Sequence, residues 1–158
     1  MVIRGHFNQR ESAERGIKMK IRNFTPHVVK YHKILVETSE WVEYPSEGVA
    51  RVATKVLSET TPDWVIFQEI GFGEVEGLPE PEEGTRYIVS SMVFEAMPER
   101  HDLIVPIDFI RDSEGRIEGC RAFRFRPFLR CRVCGAKADP YDGLCYGACR
   151  YERLESHE

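Results

Sequence analysis

Residues 64–97 read WVIFQEIGFGEVEGLPEPEEGTRYIVSSMVFEAM, and the order of signals in this stretch decides the fold class. Trp64 to Ile70 is a continuous apolar run, too short for a typical helix and rich in β-formers, so it reads as a buried strand. The following GFGEVEGLPEPEEG carries Gly71, Gly73, Gly77 and Gly84 with Pro79 and Pro81. That composition rules out a helix and a central strand and predicts a surface loop. Thr85 to Ser90 returns to a strand pattern. Ser91 to Met97 then fits one or two helical turns with a serine cap, ended before Pro98.

Upstream, Ile21 to Phe24 is a short apolar strand, and Val28 to Tyr31 with Ile34 to Glu37 predict a hairpin about His32 and Lys33, or, since His-Lys is a poor primed-turn pair, a longer loop there. Trp41 to Tyr44 is closed by a turn at Pro45 to Gly48, and Val49 to Leu57 alternates imperfectly. Downstream, Leu103 to Val105 and Arg116 to Phe125 read as the last strands, with a turn at Asp112 to Gly115. Several short strands, one short helix and no βαβ alternation predict a β-rich α+β fold. It is a compact, mostly antiparallel sheet domain over residues 19–126, with a small zinc-ribbon or knuckle module and tail over 127–158. Residues 1–18 read as a loose extension, or as a short helix (ESAERGIK) packed on the body.

The chain has 158 residues and a net charge of −4, enough for one domain with a small appendage and too short for a solenoid or a multidomain enzyme. No apolar run reaches the roughly 18 residues of a membrane span, and the first residues lack a secretion signal, so the expected location is the cytoplasm. Charged residues reach 30% while Asn and Gln together number four, Asn8, Gln9, Asn23 and Gln68. Avoided amides with abundant charge point to a thermophilic source.

Four of the five cysteines lie close together, as Cys131-Arg-Val-Cys134, ten residues, then Cys145-Tyr-Gly-Ala-Cys149. Two close pairs across a turn-rich segment have the spacing of a tetrahedral thiolate site holding one structural Zn2+. A tail with so few large apolar residues needs the folding energy a metal supplies. Four thiolates leave no open position for catalysis, and iron accepts the same geometry. The competing reading is two disulfides. Cys120, within a strand pattern, reads as a buried small hydrophobe.

Charge is distributed unevenly. From Glu69 to Glu118 there are 13 acids against 4 Arg, whereas 120–132 holds Arg121, Arg124, Arg126, Arg130 and Arg132 and no acid. Interleaved with Phe123, Phe125 and Phe128, these arginines suit phosphate contact and base stacking, or else they pair with the acids before them. Further upstream, Asn23, His27, Glu74, Glu76 and Ser90, with the loop 74–84, are the parts of a small-molecule or nucleotide-like pocket of hydrolytic type. Each also has a structural use, as turn cap, satisfied imidazole or helix N-cap.

Three segments, NFTPH at 23–27, GEVEGLPEPEEGTRYIVS at 73–90 and PERHDLIVP with RDSEGRIEGC at 98–106 and 111–120, resemble a set of small uncharacterised bacterial, archaeal and phage proteins. The resemblance implies a compact domain close to 19–120, with the cysteine module as an addition, and carries over no catalytic role. The function expected from the residues is that of an intracellular, non-enzymatic, zinc-containing protein binding a nucleic acid or a protein. The rival is a nucleotide-like binding protein or hydrolase built on His27, loop 74–84 and Ser90. A third reading is a purely protein-directed adaptor, whose sign is an exposed apolar patch.

Overall fold

The computed structural model describes residues 19–136 together with Ala138, Gly143 and Leu144. The readings for 1–18 and for most of the tail, Cys145 and Cys149 included, lie outside the described residues. Eight strands and one α-helix follow in the order β1 (Lys20–Asn23), β2 (Val29–Ile34), β3 (Ser39–Tyr44), β4 (Arg51–Thr60), β5 (Phe67–Glu76), β6 (Thr85–Ile88), α1 (Ser91–Ala96), β7 (Leu103–Arg111) and β8 (Ile117–Phe125). The fold is β-rich with one short helix, as the residue pattern predicts.

Six strands form one sheet in the order β1-β6-β7-β8-β2-β3, while β4 and β5 form a separate two-stranded ribbon. The long ladders β2–β3 and β7–β8 are antiparallel. β1–β6, β6–β7 and a single bridge from Tyr31 to Cys120 are parallel. Parallel neighbours need a crossover, and α1 supplies it between β6 and β7. One βαβ unit is therefore present where none was expected. It hid in the sequence because its helix is only six residues long. Ser90 caps that helix, its Oγ accepting from the Val93 N–H at 3.3 Å.

The sheet curls until its two edges meet. Asn23 at the end of β1 bridges to Ser46, just past β3. The buried Asn23 side chain fastens the seam: Nδ2 donates to the carbonyls of His27 (2.7 Å) and Tyr44 (2.8 Å), and Oδ1 accepts from the Thr25 N–H (2.9 Å) and hydroxyl (2.7 Å). Inside lie Phe24, Ala50, Tyr87, Val89, Val93, Phe94, Leu103 and Val105, with Val52 and Val75 at the base of the ribbon packed against them.

Three local expectations are corrected. The hairpin turn falls at 35–38, where the Leu35 N–H donates to the Thr38 carbonyl, and not at His32-Lys33. Those two residues stay in β2 because His32 packs on Trp41 and Lys33 pairs with Glu40 across the ladder. The stretch 71–84 is not all loop, since β5 runs to Glu76. A two-stranded ribbon has only edge strands, and these tolerate glycine. Trp64 to Ile70 is not buried: the ribbon extends off the body and exposes the run.

The Asp112 turn is as expected. Oδ1 accepts from the N–H groups of Glu114 and Arg116, and the Arg116 guanidinium reaches Oδ2 at 2.9 Å. The Arg116 N–H chiefly holds the Asp112 carboxyl below its ordinary value, helped by the Arg116 side chain and the Glu114 N–H and opposed by desolvation. A lowered folded value stabilises the fold above the ordinary Asp range, and this is lost as pH falls through the folded value. In urea titrations, the advantage of the wild type over Asp112→Asn should be present at about pH 6 and gone by about pH 2. Replacing Asn23 with Ala removes all four side-chain hydrogen bonds of a buried residue, taking the amide donor from the Tyr44 carbonyl while the His27 carbonyl keeps the Thr25 hydroxyl, and should cost roughly 3 kcal/mol by urea unfolding. A loss under about 1 kcal/mol would show that the seam does not depend on this amide.

Candidate functional site

Three features stand out on this scaffold: the β4–β5 arm, the arginine segment after β7, and the cysteine knuckle. The arm starts in the core at the paired Val52 and Val75 and then leaves the body. Beyond that pair, Val56, Ile70 and Phe72 share one face by register, and Leu57 lies over Gly71 on the other. All four of these apolar side chains are exposed.

At the tip, Asp63 and Trp64 both have positive φ, 49° and 63°, and the Val65 N–H donates to the Pro62 carbonyl at 3.0 Å. This is a primed hairpin turn, whose second central position favours glycine. Here it holds a tryptophan that is 98% exposed. A bulky side chain in left-handed backbone costs on the order of 1–2 kcal/mol, and Trp64 stands nearly bare in solvent.

The arginines are largely engaged. Arg124 reaches Glu95 at 3.0 Å and Arg126 reaches it at 3.6 Å, both lying over the Phe94 ring of α1. Arg121 lies 3.6 Å from Asp108. Arg130 Nη1 donates to the Gly135 carbonyl at 3.2 Å and braces the knuckle. Pairing with neighbouring acids is thus the arrangement found for Arg121, Arg124 and Arg126. Arg132 is exposed.

The knuckle itself runs from Cys131 to Ala136. The Gly135 N–H donates to the Cys131 carbonyl at 2.9 Å and the Cys131 N–H to the Ala136 carbonyl at 2.7 Å, with Gly135 at φ +76°. A residue with a Cβ is strained there, so the glycine after the second cysteine is what lets the chain fold back. The returning chain meets the knuckle where the Arg132 N–H donates to the Gly143 carbonyl at 3.0 Å. Phe128 ties the knuckle to the domain. It stacks on His101 at 4.1 Å and 18°, and packs on buried Cys131 and Ala138. A Cβ at Gly143 would fall 2.7 Å from the Phe128 ring. His101 Nδ1 in turn donates to the Arg126 carbonyl at 3.1 Å.

Cys131 and Cys134 are not joined to one another. Among the described residues no three metal-ligating side chains converge, and the second pair, Cys145 and Cys149, lies outside them. Burial pushes the Cys120 thiol up, as for an inert buried hydrophobe.

The pocket reading fares differently residue by residue. Asn23 has both amide hydrogens and both carbonyl lone pairs committed to the seam, which leaves no capacity for a ligand. Ser90 is a helix cap. His27 is exposed and lends its backbone carbonyl, while Glu74 and Glu76 are exposed on β5. The loop after Gly77 is fixed by the Tyr87 hydroxyl donating to the Glu80 carbonyl (3.1 Å) and Arg100 to that of Pro79 (3.0 Å). Arg100 is itself locked on Asp102 at 2.7 Å, and this hydrogen bond raises its pKa against desolvation.

Sequence reasoning missed the arm tip. Pro62-Asp63 ahead of Trp64 is a turn signal, but an apolar run following it looks like core. Replacing Trp64 with Gly should relieve the turn and raise the stability of the dilute protein by about 1 kcal/mol in urea titrations. A drop instead would mean that Trp64 packs within the chain. No family model, no curated protein and no solved structure matches this sequence.

Proposed function

We propose that the chain is a non-enzymatic binding protein that meets a protein partner through its β4–β5 arm. Its C-terminal segment is folded on one structural zinc ion held by Cys131, Cys134, Cys145 and Cys149. The observation that carries this reading is the arm. A run from Trp64 to Phe72 with the composition of a strand covered on both faces stands exposed on both. Contiguous exposed apolar surface of this kind marks an interaction site.

The zinc reading is supported by the turn at Gly135, the two hydrogen bonds that close the knuckle and the return of the chain at Gly143, two residues before Cys145 in sequence. Thiolates spaced in this way converge on a soft cation, and the metal supplies the folding energy that so small an apolar cluster lacks. A nucleic-acid partner is less well supported. Arg121, Arg124 and Arg126 already face carboxylates, and releasing them to phosphates forfeits those pairs.

Native mass spectrometry of the full chain, purified without added metal, should show one zinc per chain. Fluorescence anisotropy with labelled DNA and RNA should show no salt-steep binding. A chain free of metal with two disulfides would overturn the zinc site. Binding that weakens steeply with salt and is lost in Arg124→Ala with Arg126→Ala would restore the nucleic-acid partner.

A further inference from the structure

We propose that the partner of the arm is a second copy of this chain, the arm of each copy docking on residues 124–133 of the other. The proposal rests on the protein-partner reading above and names that partner.

Beyond its root pair Val52 and Val75, the arm contains four acids, Glu59, Asp63, Glu69 and Glu74, and one base, Lys55. The segment 120–132 contains five Arg and no acid. Glu95 and Asp108, which lie against Arg124, Arg126 and Arg121, offset part of that charge and leave the segment net positive, so one chain carries both halves of a complementary pair, and complementary charge sets register and speeds encounter.

The apolar surfaces match as well. Around the arginines stand Leu129, 80% exposed, and Val133, 69% exposed, while Trp64 and Phe67 stand exposed on the arm. Within a single copy the tip thus leaves both surfaces uncovered. The Arg124 side chain, although it touches Glu95, keeps 55% of its surface open to a partner. An indole set among guanidinium groups gains cation–π attraction besides the apolar contact.

The area is sufficient. The exposed aromatic and aliphatic side chains are divided between the two faces of the arm, so one face offers on the order of 400 Å2, and each chain contributes such an arm together with its dock, on the order of 800 Å2 per partner as in a stable complex. A two-fold arrangement makes the contact twice and closes the assembly at two copies. Pairing of arm with arm is the poorer alternative. It sets acids against acids, and the register breaks between Val52 and Thr54 and between Val56 and Ser58 interrupt the ribbon edge.

Sedimentation velocity on the full metal-loaded chain tests this. A dimer is expected at about 0.05 M salt that weakens at least about tenfold towards about 1 M, where screening is nearly complete. Trp64→Gly should weaken it by about tenfold or more without lowering the melting midpoint. Glu59→Lys with Glu69→Lys reverses the arm, and Arg124→Glu with Arg132→Glu reverses its dock. Each double variant alone should be monomeric, and an equimolar mixture should form the mixed dimer, since both contacts are then complementary again. If the dock variant fails to fold, Leu129→Ser with Val133→Ser replaces it and should give a monomer. A wild type monomeric at about 100 μM in low salt, or a dimer indifferent to Trp64→Gly, overturns the proposal.

A photo-crosslinking residue, p-benzoylphenylalanine in place of Trp64, separates this failure from that of the wider reading. An adduct of twice the chain mass in cells supports self-pairing. Adducts to other proteins alone overturn self-pairing and leave the protein-partner reading standing, and the absence of any protein adduct overturns both.

Discussion

The architecture depends on one buried amide. A six-stranded sheet whose edge strands are β1 and β3 has two rows of unpaired backbone groups, and leaving them open invites foreign strands. Here the edges are brought together at Asn23, whose side chain contacts both sides of the seam and also the turn between β1 and β2. The backbone completes what the side chain starts. Glu47 donates to the Asn23 carbonyl, Ala50 to that of Phe24, and Phe24 to that of Ile88. With the seam shut, Phe24 and Tyr87 meet edge to face at 5.7 Å and the core becomes continuous. Aspartate in this position would lack the two donors, and any apolar residue would take the amide donor from the Tyr44 carbonyl and leave that of His27 to the Thr25 hydroxyl alone.

From this closed body two extensions leave, and they are held in different ways. The arm grows directly out of the core through Val52 and Val75, so its root is rigid and its exposed half inherits that direction. The knuckle has no such root. It is tied through one aromatic residue, Phe128, which stacks on His101 of the domain and packs on Cys131 and Ala138, and the chain leading to it is anchored by Arg126 on α1. Arg126 does both jobs, lying 3.8 Å over the Phe94 ring while its carbonyl accepts from His101. The arginines that look most like a nucleic-acid strip in the sequence thus largely pair within the domain, Arg121 with Asp108 and Arg124 and Arg126 with Glu95, and only Arg130 reaches the knuckle.

Much of this was legible in the residues. Ser90 before an apolar pair and Pro98 after it marked α1, and Asp112 to Gly115 marked the last turn, because caps and Asx turns are local devices written in adjacent residues. The errors arose where a distant element decides. Nothing near His32 and Lys33 reveals that Trp41 and Glu40 will lie opposite them and keep β2 straight. The run Trp64 to Ile70 looks buried because apolar composition records that a surface is covered and not which molecule covers it. The functional reading of Asn23 failed for a related reason: a side chain with four hydrogen-bonding capacities reads as a ligand until its four partners, drawn from three separate residues, are found.

The seam has a kinetic side. Lys20 pairs with Thr85, so β1 finds its partner only after the whole length from β2 to β6 has been made. Such long-range parallel pairing is slow, because chain entropy is spent before the contact is gained. During that interval both sheet edges and the apolar arm are open together, and this is the state in which chains associate wrongly. An arm rich in acids and free of Lys and Arg beyond Val56 repels its own kind. The charge pattern that fits it to a basic dock therefore also guards the nascent chain while its sheet waits to close.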